Sequence, residues 1–203
     1  MKINIILVII ILFFLSDCRA QKENGPSSNL KSDTMEIFNV REFQQHQEDG
    51  EYVFNLPDGS EVYQIEDKDS SEYFEEIHQP DKPFTLVRTY YMNNGNLKSK
   101  GEKFYNFPIG TWHYYDERSN LIKEINWEKS FVFSIADLYR KMKEYQIDIM
   151  NTESGVNVAR SEEPSPYYRI SSPVEEGNYM DLRIIKIDGV NGKTILDTIV
   201  QRK

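Results

Sequence analysis

The sequence predicts a β-rich α+β fold, an antiparallel meander of hairpins followed by a helix packed on a small antiparallel sheet. Three observations predict it. Tyrosine and phenylalanine are plentiful, 13 and 11 in 203 residues, and aromatic side chains suit the half-buried, pleated surface of strands. A segment with a turn at its centre repeats at a spacing of 24. Beyond it, a capped stretch with helical periodicity precedes a run of alternating strands, the pattern of an α+β unit.

The chain opens with Lys2 and an unbroken apolar run from Ile5 to Leu15. As a helix that run is ~16 Å long at ~1.5 Å per residue, about half the ~30 Å of a bilayer core. A basic start, a short apolar core and small residues after it predict an export signal rather than a membrane span. The run has no polar face, as a helix belonging to the folded body would need.

Two cleavage readings stay open. Leu15-Ser16-Asp17-Cys18 resembles the lipobox of bacterial lipoproteins, in which the peptidase cuts before a cysteine that carries lipid; Asp17 departs from the small uncharged residue usual there. The resemblance implies a signal peptide over 1–17 and lipidation of Cys18. The alternative is cleavage after Ala20, a signal peptide over 1–20. Both place the mature chain outside the cytoplasm, in the cell envelope or secreted. Cys18 is the single cysteine, so neither product forms an internal disulfide and the fold stands on its core.

Residues 18–34, polar and broken by Gly25-Pro26, read as a linker. Residues 35–130 read as a β-hairpin repeat region. Asn39 followed by Glu42 starts a short helix. "EYVFNL" and "SEVYQI" flank Pro57-Asp58-Gly59, a hairpin turn with Pro presetting φ and Gly free to take a positive one. Residues 67–83, acidic and closed by two prolines, read as a loop with a helical turn. The Asp67-x-Asp69-x-Ser71 spacing is not a calcium loop, because Glu72 stands at the glycine position and His78 at the bidentate glutamate.

Arg88–Phe104 lies over Trp112–Glu128 in the repeat, Tyr90-Tyr91 over Tyr114-Tyr115 and Asn96-Leu97 over Asn120-Leu121. Asn94-Gly95 predicts a tight type I′ turn; Ser119 at the glycine position predicts a looser or longer one. An even period predicts that equivalent residues share a sheet face, with Trp112 and Tyr114 on one side and His113 and Tyr115 on the other. "YYMNNGNLKSKG" and "GTWHYYDE" resemble the MORN-like repeats of YwqK-type antitoxins of toxin–antitoxin systems. That resemblance covers about forty residues, with "YVFNLPDGSEVYQ" as an earlier copy that carries only the turn, and implies a meander used for recognition. In an exported chain it becomes an immunity-like role toward a protein partner.

Residues 131–203 read as the α+β unit. Ser134 caps a helix with Asp137 in a capping box, and Ile135, Leu138, Tyr139 and Met142 form its apolar stripe. Strands are expected at Ile147–Met150, Val156–Arg160, Tyr167–Ser171, Tyr179–Gly189 and Lys193–Arg202. "IIKIDGVNGKTIL" resembles the closing hairpin of PepSY- or cystatin-like domains.

A search for chemistry finds no catalytic constellation. His46, His78 and His113 are isolated, without a second ligand at zinc spacing. Glu75-Glu76, Glu162-Glu163 and Glu175-Glu176 are adjacent pairs, which point apart on strands. No metal or cofactor is expected, and the reading is a non-enzymatic protein. A net charge of −9 argues against nucleic acid, whose affinity comes from neutralised phosphates. The candidate binding surface is aromatic: Tyr90, Tyr91, Trp112, His113, Tyr114 and Tyr115, with strand alternation expected to turn half of them inward. The expected function is an exported, lipid-anchored protein that binds a protein partner, held to the membrane through Cys18. The alternative is a structural or glycan-contacting lipoprotein of the envelope.

Overall fold

A computed structural model describes residues 36–176 and 179–201, all within one compact unit. The signal peptide, the linker and Cys18 lie outside them. The described residues form a seven-stranded antiparallel sheet, strictly sequential from β1 to β7, and a four-stranded antiparallel sheet ordered β11-β10-β9-β8. The first sheet holds β1 (Glu51–Asn55), β2 (Glu61–Asp67), β3 (Glu72–His78), β4 (Phe84–Tyr91), β5 (Leu97–Phe104), β6 (Phe107–Tyr115) and β7 (Leu121–Asn126). The second holds β8 (Asn157–Ser161), β9 (Tyr167–Glu176), β10 (Tyr179–Asp188) and β11 (Thr194–Val200). Helix α1 (Val40–His46) precedes the first sheet and α2 (Ile135–Glu144) the second.

Both helices start where their caps predict. The Asn39 side chain accepts from the Glu42 backbone N–H, and Ser134 and Asp137 form the reciprocal capping box. Helix α1 buries Phe43 against Phe38, Tyr73, Tyr90 and Leu97 at the turn end of β3–β5. Phe38 stacks on Tyr73 with ring centroids 4.4 Å apart. Helix α2 covers the second sheet, with Leu138 and Met142 packed on Ile170, Ile185, Ile187 and Tyr168. The same core takes in Phe104 and Phe107 of the first sheet. Each such fully buried side chain contributes ~1.5–3 kcal/mol, so the border at residue 130 separates two sheets that share one core.

Arg160 of β8 ties the sheets together. Its side chain, 6% exposed, pairs with Glu128 at 3.0 Å and lies over the rings of Phe107 and Phe131, 4.9 and 4.6 Å from their centroids. It also donates to the carbonyls of Trp127, at 3.0 Å, and Pro108.

Four expectations are corrected. Residues 67–83 contain β3 rather than a helical turn: Tyr73 and Glu75 alternate inward, and the acidic charge that suggested a loop is absorbed by cross-strand partners. Ile147–Met150 is not a strand; Ile147 and Ile149 enter the core from an irregular segment instead. Asn94-Gly95 is not a type I′ turn, which needs two positive φ angles, and only Gly95 has one. It belongs to a five-residue loop, 92–96, matched by 116–120.

The fourth concerns parity. Lys100 pairs with Arg88 on one side and His113 on the other, an offset of 113 − 88 = 25. Tyr114 therefore shares a face with Thr89, and Tyr90 faces the opposite way. Register irregularities at Thr89/Tyr90, Lys100/Glu102 and Tyr114/Tyr115 absorb the odd residue. Within β6 the alternation holds, with Trp112 and Tyr114 on one side and His113 and Tyr115 on the other.

Candidate binding face

The two faces of the seven-stranded sheet differ in what covers them. On the first, pairing across all strands sets Tyr52, Gln64, Glu75, Arg88, Lys100, His113 and Glu124 in one row. Glu75 is buried and accepts from Gln64 Nε2 at 2.7 Å, Arg88 Nη1 at 3.0 Å and Tyr90 Oη at 3.1 Å. Arg88 Nε lies 3.0 Å from Glu36 Oε2, an ion pair without hydrogen-bond alignment. Burial, then the Glu75 charge, pushes the Tyr90 phenol far up, so it donates at any physiological pH. A buried carboxylate with three donors is satisfied and rigid. Beside this row Glu102 is raised by burial alone, and among the described residues no side chain bonds its carboxylate.

Helix α1 covers one end of this first face, and the shared core the other.

The opposite face carries Glu51, Ile65, Phe74, Thr89, Ser99, Tyr114 and Lys123 in one row. The next row runs Val53, Tyr63, Glu76, Val87 and Gly101, and ends in the pair Trp112 and Ile125. None of its apolar side chains joins either buried cluster, though Val87, at 2% exposed, is closed over by its neighbours on the face together with Thr85 and Ser99. Val53 is 51% exposed, and the rings of Tyr63, Phe74, Tyr91, Trp112 and Tyr114 are half-buried. An antiparallel sheet with one solvated face ordinarily turns polar residues outward; this one turns out aromatics.

The six residues singled out in the sequence divide between the faces. Tyr90, 4% exposed, His113 and Tyr115 lie on the α1 side, Tyr90 and Tyr115 in the cluster under α1. His113 Nε2 pairs with Glu124 at 3.0 Å. Tyr91, Trp112 and Tyr114 lie on the uncovered side. Trp112 rests on Gly101, where a Cβ would strike the indole, and its Nε1 donates to the Glu102 carbonyl at 3.1 Å. Tyr91 donates to the Tyr115 carbonyl at 2.8 Å. Lysines cap the rings: Lys98 over Tyr91 at 5.4 Å, Lys103 over Phe74 at 5.8 Å, Lys123 over Tyr114 at 5.7 Å. Lys98 also pairs with Glu72, and Lys103 with Glu76 at 2.7 Å. At the β2–β3 end the face opens into a shallow hollow of about 450 Å³ over Ile65 and Phe74, rimmed by Asp67, Asp69 and Glu72.

Val53, Tyr63, Ile65, Phe74 and Ile125 were missed in the sequence. A signal for Ile65 and Phe74 was present. Ser71, Gly95 and Ser119, spaced by 24, all take a positive φ, of 55°, 72° and 64°. The earlier copy of the repeat therefore lies over the acidic segment, whose composition hid it, and not over residues 52–64.

Compared with protein-family models, curated proteins and solved structures, the chain matches none. Among the described residues no group of three His, Cys, Asp or Glu side chains could hold a metal ion, and no helix is long and apolar enough to cross a membrane.

Proposed function

We propose that this chain is an exported, lipid-anchored, non-enzymatic binding protein that recognises a protein partner with the uncovered face of its seven-stranded sheet. The observation that carries the reading is that face itself: aromatic and aliphatic side chains from β1 to β7 that belong to neither core. Half-exposed aromatic side chains grouped on one face of a rigid sheet mark an interaction surface, and tyrosine and tryptophan are the residues that anchor such surfaces. Rings on strands lose little freedom on docking, because cross-strand neighbours already hold them. The opening segment supports export, and Cys18 supports anchoring. The resemblance to MORN-like antitoxin repeats supports recognition over chemistry, with an immunity-like role as its specific form.

The test is affinity capture from membrane extract with the wild-type chain, Cys18→Ala and Ile65→Lys. The expected result is that Cys18→Ala leaves the membrane fraction and that Ile65→Lys, still folded by circular dichroism, loses the captured partner. A Cys18→Ala chain that still sediments with membranes removes the anchor. An Ile65→Lys chain that captures as wild type does removes the face.

A further inference from the structure

The uncovered face is charged asymmetrically about its central strand. Among the described strands, β1–β3 place Glu51, Glu61, Asp67, Glu72 and Glu76 on it, and β5–β7 place Lys98, Lys103 and Lys123 there. The β4 positions between them are Thr85, Val87, Thr89 and Tyr91, without charge. With β4 the fourth of seven strands, a two-fold rotation about an axis along β4 lays the acidic half of one face over the basic half of another. We propose that the occupant of this face is a second copy of the chain, packed sheet on sheet about that axis. This rests on the face being a docking surface, and names what docks.

The pairing rows make the prediction residue by residue. In the first, Thr89 on the axis meets its own copy, Phe74 meets Ser99, Ile65 meets Tyr114, and Glu51 meets Lys123. In the second, Tyr63 meets Trp112 and exposed Val53 meets Ile125, on either side of Val87, which its own neighbours already bury. Lys98 and Lys103 already reach Glu72 and Glu76 across β4 within one chain, so these pairs need little rearrangement to be shared between copies. Aligned sheets pack ~10 Å apart at about 30°, which keeps the centre in register and leaves the long Lys123 side chain to span the offset at the edge. Seven strands ~4.8 Å apart and about six residues tall present roughly 34 Å by 20 Å, ~700 Å² per copy and ~1,400 Å² in all, within the ~1,200–2,000 Å² of stable interfaces. An isologous contact of this kind closes on itself and does not propagate.

The test places single cysteines in the full chain in its native membrane. Thr89→Cys sits on the axis; Val53→Cys, on β1, lies ~29 Å from its own copy, three strands out on either side. With a short bis-maleimide, Thr89→Cys is expected to give a covalent dimer and Val53→Cys is not. Adding Lys123→Glu opposes Glu51 with like charge twice per dimer and is expected to cut the Thr89→Cys adduct roughly tenfold. Adding Glu51→Lys as well is expected to restore it to within about twofold. Equal dimer yields from the two cysteines, or a charge swap without effect, overturn the two-fold arrangement. An adduct of Thr89→Cys with a different protein overturns the second copy and leaves the docking face standing; two cysteines that label freely and never cross-link overturn both.

Discussion

Replacing Arg160 with methionine tests how the two sheets are joined. The guanidinium is 6% exposed, lies between the rings of Phe107 and Phe131, and donates to the carbonyls of Pro108 and Trp127 and to Glu128. Methionine keeps the length and most of the contact with the rings, so the loss is polar rather than a cavity. Glu128, 31% exposed, can turn to water, and it also accepts from the Gly110 N–H at 3.2 Å. What remains is two carbonyls around a side chain that can no longer donate, each costing ~1–3 kcal/mol. The expected loss is therefore ~3 kcal/mol, a large part of the ~5–15 kcal/mol that holds a domain together. Urea unfolding would be followed by tryptophan fluorescence, which reports Trp112 and Trp127 beside the first sheet, and by far-ultraviolet circular dichroism, which reports both sheets. In the wild type the two curves should coincide; in Arg160→Met the midpoint should fall and the curves separate. A loss below ~1 kcal/mol with coincident curves would refute the reasoning, since the sheets would then be held by the apolar core alone.

Three further predictions rest on single contacts. Gly101→Ala pushes a methyl into the Trp112 indole and should cost ~1–3 kcal/mol, with a shift in Trp112 emission; an unchanged midpoint would show that the ring does not rest there. Ser134→Ala removes the cap of α2 and should cost ~1 kcal/mol at neutral pH, measured as a urea midpoint. Glu102→Gln should raise stability at neutral pH: burial holds the folded carboxyl above its ordinary value, so the ionised group opposes folding once pH exceeds the unfolded value near ~4.3. That gain should shrink as pH falls through the raised folded value and vanish below the unfolded one, read from midpoints across a pH series.

The elements legible in the sequence were those written in local chemistry. Asn39 and Ser134 set both helix starts because a cap needs only its own side chain and a backbone N–H three residues on. Pro57-Asp58-Gly59 set the first hairpin for the same reason. What local chemistry does not carry was misread. β3 looked like an acidic loop because Glu75 and Glu76 are stabilised by Arg88 and Lys103, 13 and 27 residues away. The faces of Tyr90 and Tyr114 depended on one-residue irregularities that a period of 24 conceals. Tyr91, Trp112 and Tyr114 of the candidate face were legible, since their repeat was visible. The rest lay on strands whose partners only the assembled sheet supplies.

The most direct measurement uses a membrane-impermeant maleimide on cells stripped of outer barriers, with Val53→Cys on the uncovered face and Lys82→Cys on an exposed turn away from it. Under either cleavage reading the mature chain has no other free thiol, so each signal belongs to the introduced cysteine. The expected result is rapid labelling at Lys82→Cys and protection at Val53→Cys, lifted when the protein is unfolded. No labelling at Lys82→Cys, or equal labelling at both, would contradict an exported chain whose sheet face is occupied.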